Sequence, residues 1–156
     1  VNPASMLLSV VESYRAEAER QAIRLDLNVP NRAYLLDADE QMLGEAIGSL
    51  IRNSIQAVGC QGSILVSMEG FEDRIEFKVS DSGPGLSEQA REHAFDPYFS
   101  GREAGRGLGL GLCRAYRIVK MHHGEISLSS GPAGCIASIT LHIAEDSASP
   151  ELGTDD

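Results

Sequence analysis

Between Asp81 and Leu112 the chain reads DSGPGLSEQAREHAFDPYFSGREAGRGLGLGL. Two glycine clusters, Gly83 with Gly85 and then Gly105, Gly107, Gly109 and Gly111, bracket an aromatic stretch holding Phe95, Tyr98 and Phe99. Glycine tolerates positive φ and lets a ligand come close to the main chain. Successive exposed N–H groups in such a segment form a concavity suited to phosphates. A carboxylate, Asp81, stands immediately before the first cluster. The pattern is that of a nucleotide site under a mobile cover.

A second set of polar residues lies upstream. Glu45, Ser49, Asn53 and Gln56 recur at spacings of four, four and three, which aligns them as one stripe on a helix. Leu43, Ile47, Leu50, Ile51 and Val58 make the opposing apolar face. Such a stripe is by default a solvated surface. Ser and Asn, however, are poor helix formers. The neutral carbonyl oxygen of Asn53 also suits Mg²⁺, which takes oxygen ligands and keeps waters beside substrate phosphates.

Composition narrows the classes. The chain has 156 residues, 42% hydrophobic and 23% charged, which suits one soluble domain with a sizeable core. Net charge is −10, and five of the acidic groups fall in the last twelve residues. An acidic body argues against nucleic-acid binding and against contact with a membrane surface, since both need a basic patch. Three cysteines (Cys60, Cys113 and Cys135) without C-x-x-C fit thiols in a reducing compartment, hence a cytoplasmic domain. No apolar run reaches membrane-span length and no signal peptide is visible. The chain starts without Met and reads as a piece of something longer, so membrane anchoring of a parent protein stays open.

These residues need elements to position them. Apolar spacing predicts a helix over Ser5–Arg20, with Leu8, Val11, Tyr14 and Ala18 on its inner face. Alternation predicts a strand from Ile23 to Val29 and a short one over Tyr34–Leu36. Asp39 is the candidate N-cap of a long helix ending near Val58. Strands follow at Ser63–Met68 and Arg74–Ser80. Ser87 is placed to cap a short helix reaching about His93, and Phe95 to Arg106 reads as a long loop, a class that is often functional. A helix over Leu108–His122 leads to a hairpin of Glu125–Ser130 and Cys135–Ala144. The polar, acidic segment 145–156 reads as a disordered tail after a domain spanning 1–144. The mixture lacks strict βαβ alternation. It implies an α+β fold, a two-layer α/β sandwich whose mixed, mostly antiparallel sheet carries helices on one face.

Taken together, the motifs resemble the ATP-binding catalytic domain of two-component sensor histidine kinases. That domain belongs to a superfamily shared with gyrase, a heat-shock chaperone and mismatch-repair ATPases. The resemblance spans about Leu7 to Ile143. Its asparagine motif reads Glu45-Ala-Ile-Gly-Ser-Leu-Ile-Arg-Asn53-Ser-Ile-Gln-Ala57, and its first glycine motif Asp81-Ser-Gly83-Pro-Gly85-Leu86. The phenylalanine motif reads Phe95-Asp-Pro-Tyr98-Phe99-Ser100, and the second glycine motif Gly105-Arg-Gly107-Leu-Gly109-Leu-Gly111. A lone GxGxG is weak, but four motifs in order are specific.

The resemblance implies roles. Asn53 would hold Mg²⁺, and Gln56 and Ala57 would lie beside the nucleotide. Asp81 would accept from the adenine amino group, with Gly83, Gly85 and Leu86 close to the base. Phe95 and Phe99, with Ser100, would anchor a flexible ATP lid, although core anchoring is the plainer role for the two rings. Gly105, Gly107, Leu108, Gly109, Leu110 and Gly111 would cradle the phosphates at a helix start. Arg102, or failing it Arg106, would reach the γ-phosphate, unless Arg102 is merely solvated. His93, His122, His123 and His142 show no metal-ligand pattern, and His122 reads as structural.

Two departures shape the expectation. Ser49 stands where sensor kinases carry a second Asn and the mechanical ATPases a general-base Glu. A serine cannot activate water near neutral pH, and Glu45 is displaced from Asn53 by about 12 Å along the helix. The phosphoacceptor histidine, borne by a preceding pair of dimerising helices, is missing as well. The chain therefore reads as a catalytic domain that binds Mg-ATP and donates the γ-phosphoryl group to a histidine on a separate dimerisation and phosphoacceptor domain, with a response-regulator receiver downstream. On its own it should not phosphorylate itself. A protein-serine kinase of the same fold and a non-catalytic nucleotide-binding module are the other readings.

Overall fold

A computed structural model describes residues 1–84, 92, 95, 108–131 and 134–143. Helix α1 spans Pro3–Ser13 and α2 Arg15–Arg20. Strand β1 (Arg24–Asn28) precedes helix α3 (Glu40–Val58), which leads to β2 (Ser63–Gly70) and β3 (Arg74–Asp81). Helix α4 (Leu108–Met121) then enters β4 (Glu125–Gly131) and β5 (Gly134–His142). The strands form one sheet in the order β1-β2-β3-β5-β4. Among the described strands only β1 and β2 pair in parallel. A parallel pair needs a crossover, and α3 supplies it, which puts that helix over the sheet.

Strand alternation decides which face the helices cover. Ile64, Val66 and Met68 of β2, Ile75, Phe77 and Val79 of β3, and Cys135, Ala137, Ile139 and Leu141 of β5 are all buried. The register sets Met68, Phe77 and Ile139 side by side across three strands. The intervening residues face water: Leu65 is 41% and Ile136 39% exposed. This is the usual one-sided burial of an antiparallel sheet. Above it, Leu43, Ala46, Ile47, Leu50, Ile51 and Ile55 of α3 join Leu7 and Val11 of α1 and Ala115, Ile118 and Val119 of α4 in one core. The α+β sandwich with helices on one face is thus the observed architecture.

Three expectations are corrected. The helix expected over Ser5–Arg20 is broken at Tyr14, whose backbone leaves the helical region at φ −108°, ψ 1°. The break lets the Tyr14 ring lie over Gly48 of α3, where its hydroxyl accepts from the Arg52 guanidinium at 3.2 Å. Leu8 is not an inward position: it is 49% exposed, while Leu7 is fully buried. Residues Tyr34–Leu36 form no strand. Leu36 exchanges two hydrogen bonds with Val1 alone, and Tyr34 is drawn sideways over Gly70, so no ladder propagates. The helix expected after Ser87 (beyond Glu92 itself), the lid and the acidic tail lie outside the described residues.

Helix α4 ends in a Schellman-type cap. The N–H of His123 donates to the Lys120 carbonyl at 3.0 Å, and that of Gly124 to the Val119 carbonyl at 2.9 Å. The motif needs a left-handed residue, normally glycine, and His123 fills it at φ 60°. A side chain in that region costs about 1–2 kcal/mol, part of which glycine would give back as unfolded-chain entropy. His123→Gly should therefore stabilise the chain by about 0.5–1 kcal/mol, read as a higher urea midpoint at unchanged slope. A lowered midpoint would contradict the strain assigned to this residue.

Candidate functional site

The end of β3 and the C-terminal turns of α3 meet at one corner of the sandwich. Asp81, the last residue of β3, belongs to the helix-covered face and pairs across the sheet with Ile64 and Cys135. It is only 7% exposed, and its Oδ1 accepts from the Gly83 N–H at 2.9 Å. That bond turns the chain sharply at the strand end. A Cβ on Gly83 would sit 3.3 Å from the Ala57 backbone, so the first glycine motif lies directly against the end of α3. Gly134 closes the corner from the other side. It has φ 135°, and a Cβ there would overlap the Asp81 carbonyl. The carboxylate is thus held by the Gly83 N–H, on a backbone that Gly134 approaches closely from the neighbouring strand.

The polar stripe of α3 is present and graded. Glu45 and Gln56 are exposed, while Ser49, Asn53 and Ala57 are half-buried. Two links establish how α3 lies against α4. The Asp39 N–H, at the N-cap of α3, donates to Nε2 of His122 at the end of α4, at 3.0 Å. Six residues on, Glu45 pairs with Arg114 at 3.4 Å. The partners advance in α3 and recede in α4, so the helices run antiparallel. Continuing along each axis, Asn53 lies about 12 Å past Glu45 and Leu108 about 9 Å before Arg114. Asn53 therefore comes roughly level with the start of α4. The first N–H groups of any helix lack an intrahelical acceptor, which makes a helix start such as that at Leu108 a general place for an anion.

The stripe divides between two surfaces. A groove of about 410 Å³ between α1, α3 and α4 is lined by Tyr14, Glu45, Gly48, Ser49, Arg52 and Arg114, but not by Asn53 or Asp81. Glu45 is thus engaged with Arg114 and separated from the corner that holds Asp81. Phe95 is half-buried against the core and lies on the Tyr116 ring of α4 at a centroid distance of 5.6 Å. Among the described residues no cluster of His, Cys, Asp and Glu could hold a metal by itself. A half-buried Asn amide beside a helix start fits an ion that takes one protein oxygen and completes its shell from phosphates and water.

The structure thus brings Asp81 and Gly83 against Ala57 at the end of α3. Asn53 and Gln56 stand on the last turns of the same helix, whose antiparallel packing sets Asn53 level with the start of α4. Gly85, Leu86, Phe99, Ser100, Arg102, Gly105, Arg106 and Gly107 lie outside the described residues. Gly134, Arg114 and the latching role of His122 escaped sequence reasoning. Gly134 sits in an obvious turn, but only strand register reveals that it presses on Asp81. His122 gave no pattern because its partner is 83 residues away.

Residues 38–145 match the family described as histidine kinase-, DNA gyrase B-, and HSP90-like ATPase. The adaptive-response sensory kinase SasA of Crocosphaera subtropica is 33% identical over 129 residues, covering 79% of this chain and 33% of that protein. The chain spans about a third or less of the length of the curated relatives it matches. The catalytic domain of histidine kinase ThkA superposes with a TM-score of 0.83 at 24% identity, over 94% of this chain and 96% of that one. Full-length ShkA in complex with AMPPNP gives 0.82 at 22% identity, over 92% of this chain and 31% of that one. With the matched segment running from the N-cap of α3 through the end of β5, this chain belongs to the histidine kinase-, DNA gyrase B- and HSP90-like ATPase family.

Proposed function

We propose that this chain is the ATP-binding catalytic domain of a sensor histidine kinase. It binds Mg-ATP and presents the γ-phosphoryl group to a histidine on a separate phosphoacceptor and dimerisation domain, from which a response regulator would draw it. The observation that carries this reading is the antiparallel packing that sets Asn53 level with the start of α4, on the helix whose end meets the turn after the buried Asp81. The match to sensor kinases, and the nucleotide analogue named for ShkA, support the same reading.

Each residue then has a task. Asp81 accepts from the adenine amino group with the oxygen atom that Gly83 leaves available. A guanine would offer it an acceptor instead, and two buried acceptors cannot pair. Asn53 supplies a neutral oxygen to Mg²⁺, which offsets phosphate charge when bound. Gln56 and Ala57, on the same turns of α3, border the nucleotide. The N–H groups at the start of α4 receive the phosphates, favoured by the positive helix end. Arg102, or else Arg106, meets the γ-phosphate, and Phe95 and Phe99 root the lid.

Transfer is favoured over hydrolysis by the stripe itself. Ser49 occupies the place of a water-activating carboxylate and has no basicity for that task. The one carboxylate on the stripe, Glu45, is paired with Arg114 one groove away. Phosphoryl transfer asks mainly for positioning and electrostatics, which this corner can supply. A protein-serine kinase reading finds no separate observation in its favour.

Calorimetric titration with a non-hydrolysable ATP analogue tests the site. Asn53→Ala should weaken the Mg²⁺-dependent affinity by about tenfold or more. Asp81→Asn should narrow the preference for ATP over GTP by about tenfold or more, since its amide can donate to guanine. Wild-type behaviour of both variants would sink the assignment. Mixing the chain with an isolated helix-pair acceptor domain tests the chemistry. Phosphohistidine should form only in the mixture, and its stable formation on this chain alone would overturn the proposal.

A further inference from the structure

The N-cap of α3 makes a connection that a helix ordinarily finds within itself. The N–H of an N-cap residue needs an acceptor, which in a capping box is a Glu or Gln at the third helical position. Here that position is Met42. The Asp39 carboxylate reaches forward to the Met42 N–H at 3.0 Å, so it does not serve its own N–H. That N–H donates instead to Nε2 of His122, across the fold. The other ring nitrogen of His122, Nδ1, lies 2.8 Å from the Ile118 carbonyl. A carbonyl only accepts and a backbone N–H only donates. The two partners together therefore select one neutral tautomer, with the proton on Nδ1 and a bare Nε2.

We infer that His122 is a positioning residue for the nucleotide site. In its Nδ1–H form it clasps the end of α4 to the N-cap of α3 and so sets the axial register in which Asn53 meets the start of α4. This inference rests on the reading of the site proposed above. Apolar contacts between the helices fix their separation and, through interdigitated side chains, resist large slides. The directed bond to His122 selects among the small shifts that such packing leaves. Among the described residues, a further polar link, Glu45–Arg114, joins two flexible side chains that are 43% and 65% exposed, and such pairs hold little, whereas the His122 bond, also at the surface, ends on a fixed main-chain N–H. The His122 ring is also presented firmly. Its residue closes α4, and the left-handed His123 with the Gly124–Val119 bond fixes the backbone on its far side. A clasp at one end of two antiparallel helices sets how their other ends align, and the other ends are where the ligand groups lie.

Two amide substitutions separate the halves of the clasp. Gln places an oxygen near the position of Nε2 and can keep the bond from Asp39. Asn is shorter and keeps only a donor toward Ile118. In the wild-type chain, nitrogen-15 spectra of the imidazole should show Nδ1 protonated and Nε2 bare. His122→Asn should weaken affinity for the Mg-bound ATP analogue by about three- to tenfold and speed amide exchange at Asp39, while His122→Gln stays within about twofold of wild type. Equal losses in the two variants, no loss in either, or a protonated Nε2 would each overturn the inference. A wild-type chain that binds no nucleotide overturns the function proposed for the site. The tautomer and the Asp39 exchange rate, both read without nucleotide, then decide whether the clasp itself exists.

Discussion

Helix α3 is asked to satisfy two surfaces at once, and the remaining elements are arranged around that demand. It is the crossover between the parallel strands β1 and β2, so it must lie on the sheet. Its inner face, from Leu43 through Ile55, is buried between the sheet and the helices α1 and α4. A helix held along so much of its length cannot rotate without driving polar groups into the core. Its rotation is therefore fixed by apolar packing, and that packing holds Asn53 half-buried at the margin of the apolar face. The side chain proposed to hold the metal inherits its direction from residues that take no part in binding.

The sheet does for Asp81 what the core does for Asn53. A carboxylate at the covered end of a strand would ordinarily be out of place, since burial disfavours an unpaired charge. It is tolerated because the strand ends there, the Gly83 N–H turns back onto it, and Gly134 admits the neighbouring strand close to its carbonyl. Both glycines leave room for main chain where a side chain would force the elements apart. The result is a fixed acceptor at the rim of the core, which suits recognition of a flat base better than a mobile surface carboxylate would.

Between these two anchors, α4 joins the glycine run proposed to face phosphate to the closing hairpin. Its inner face packs into the core through Ala115, Ile118 and Val119, while its ends are held by different means. The C-terminal end is closed by a Schellman-type cap and by the His122 link to α3. The N-terminal end opens from glycines, which favour close approach of a ligand.

Much of this is legible in the amino-acid sequence alone. The period of α3, its Asp39 cap, the alternation in β2, β3 and β5, and the order of the four motifs determine the fold class, the family and most candidate residues. Those signals are local, because helical period, strand alternation and glycine spacing are written within a few residues of one another. What tertiary structure decided was relative placement. The break at Tyr14 follows from a ring seated on Gly48, the missing strand at Tyr34–Leu36 from the lack of a ladder partner, and the choice of Leu7 over Leu8 from the neighbours of α1. The pressing of Gly134 on Asp81, the diversion of Glu45 to Arg114 and the His122 clasp all join residues far apart in sequence. Such contacts depend on how finished elements dock, and no spacing within the chain records them.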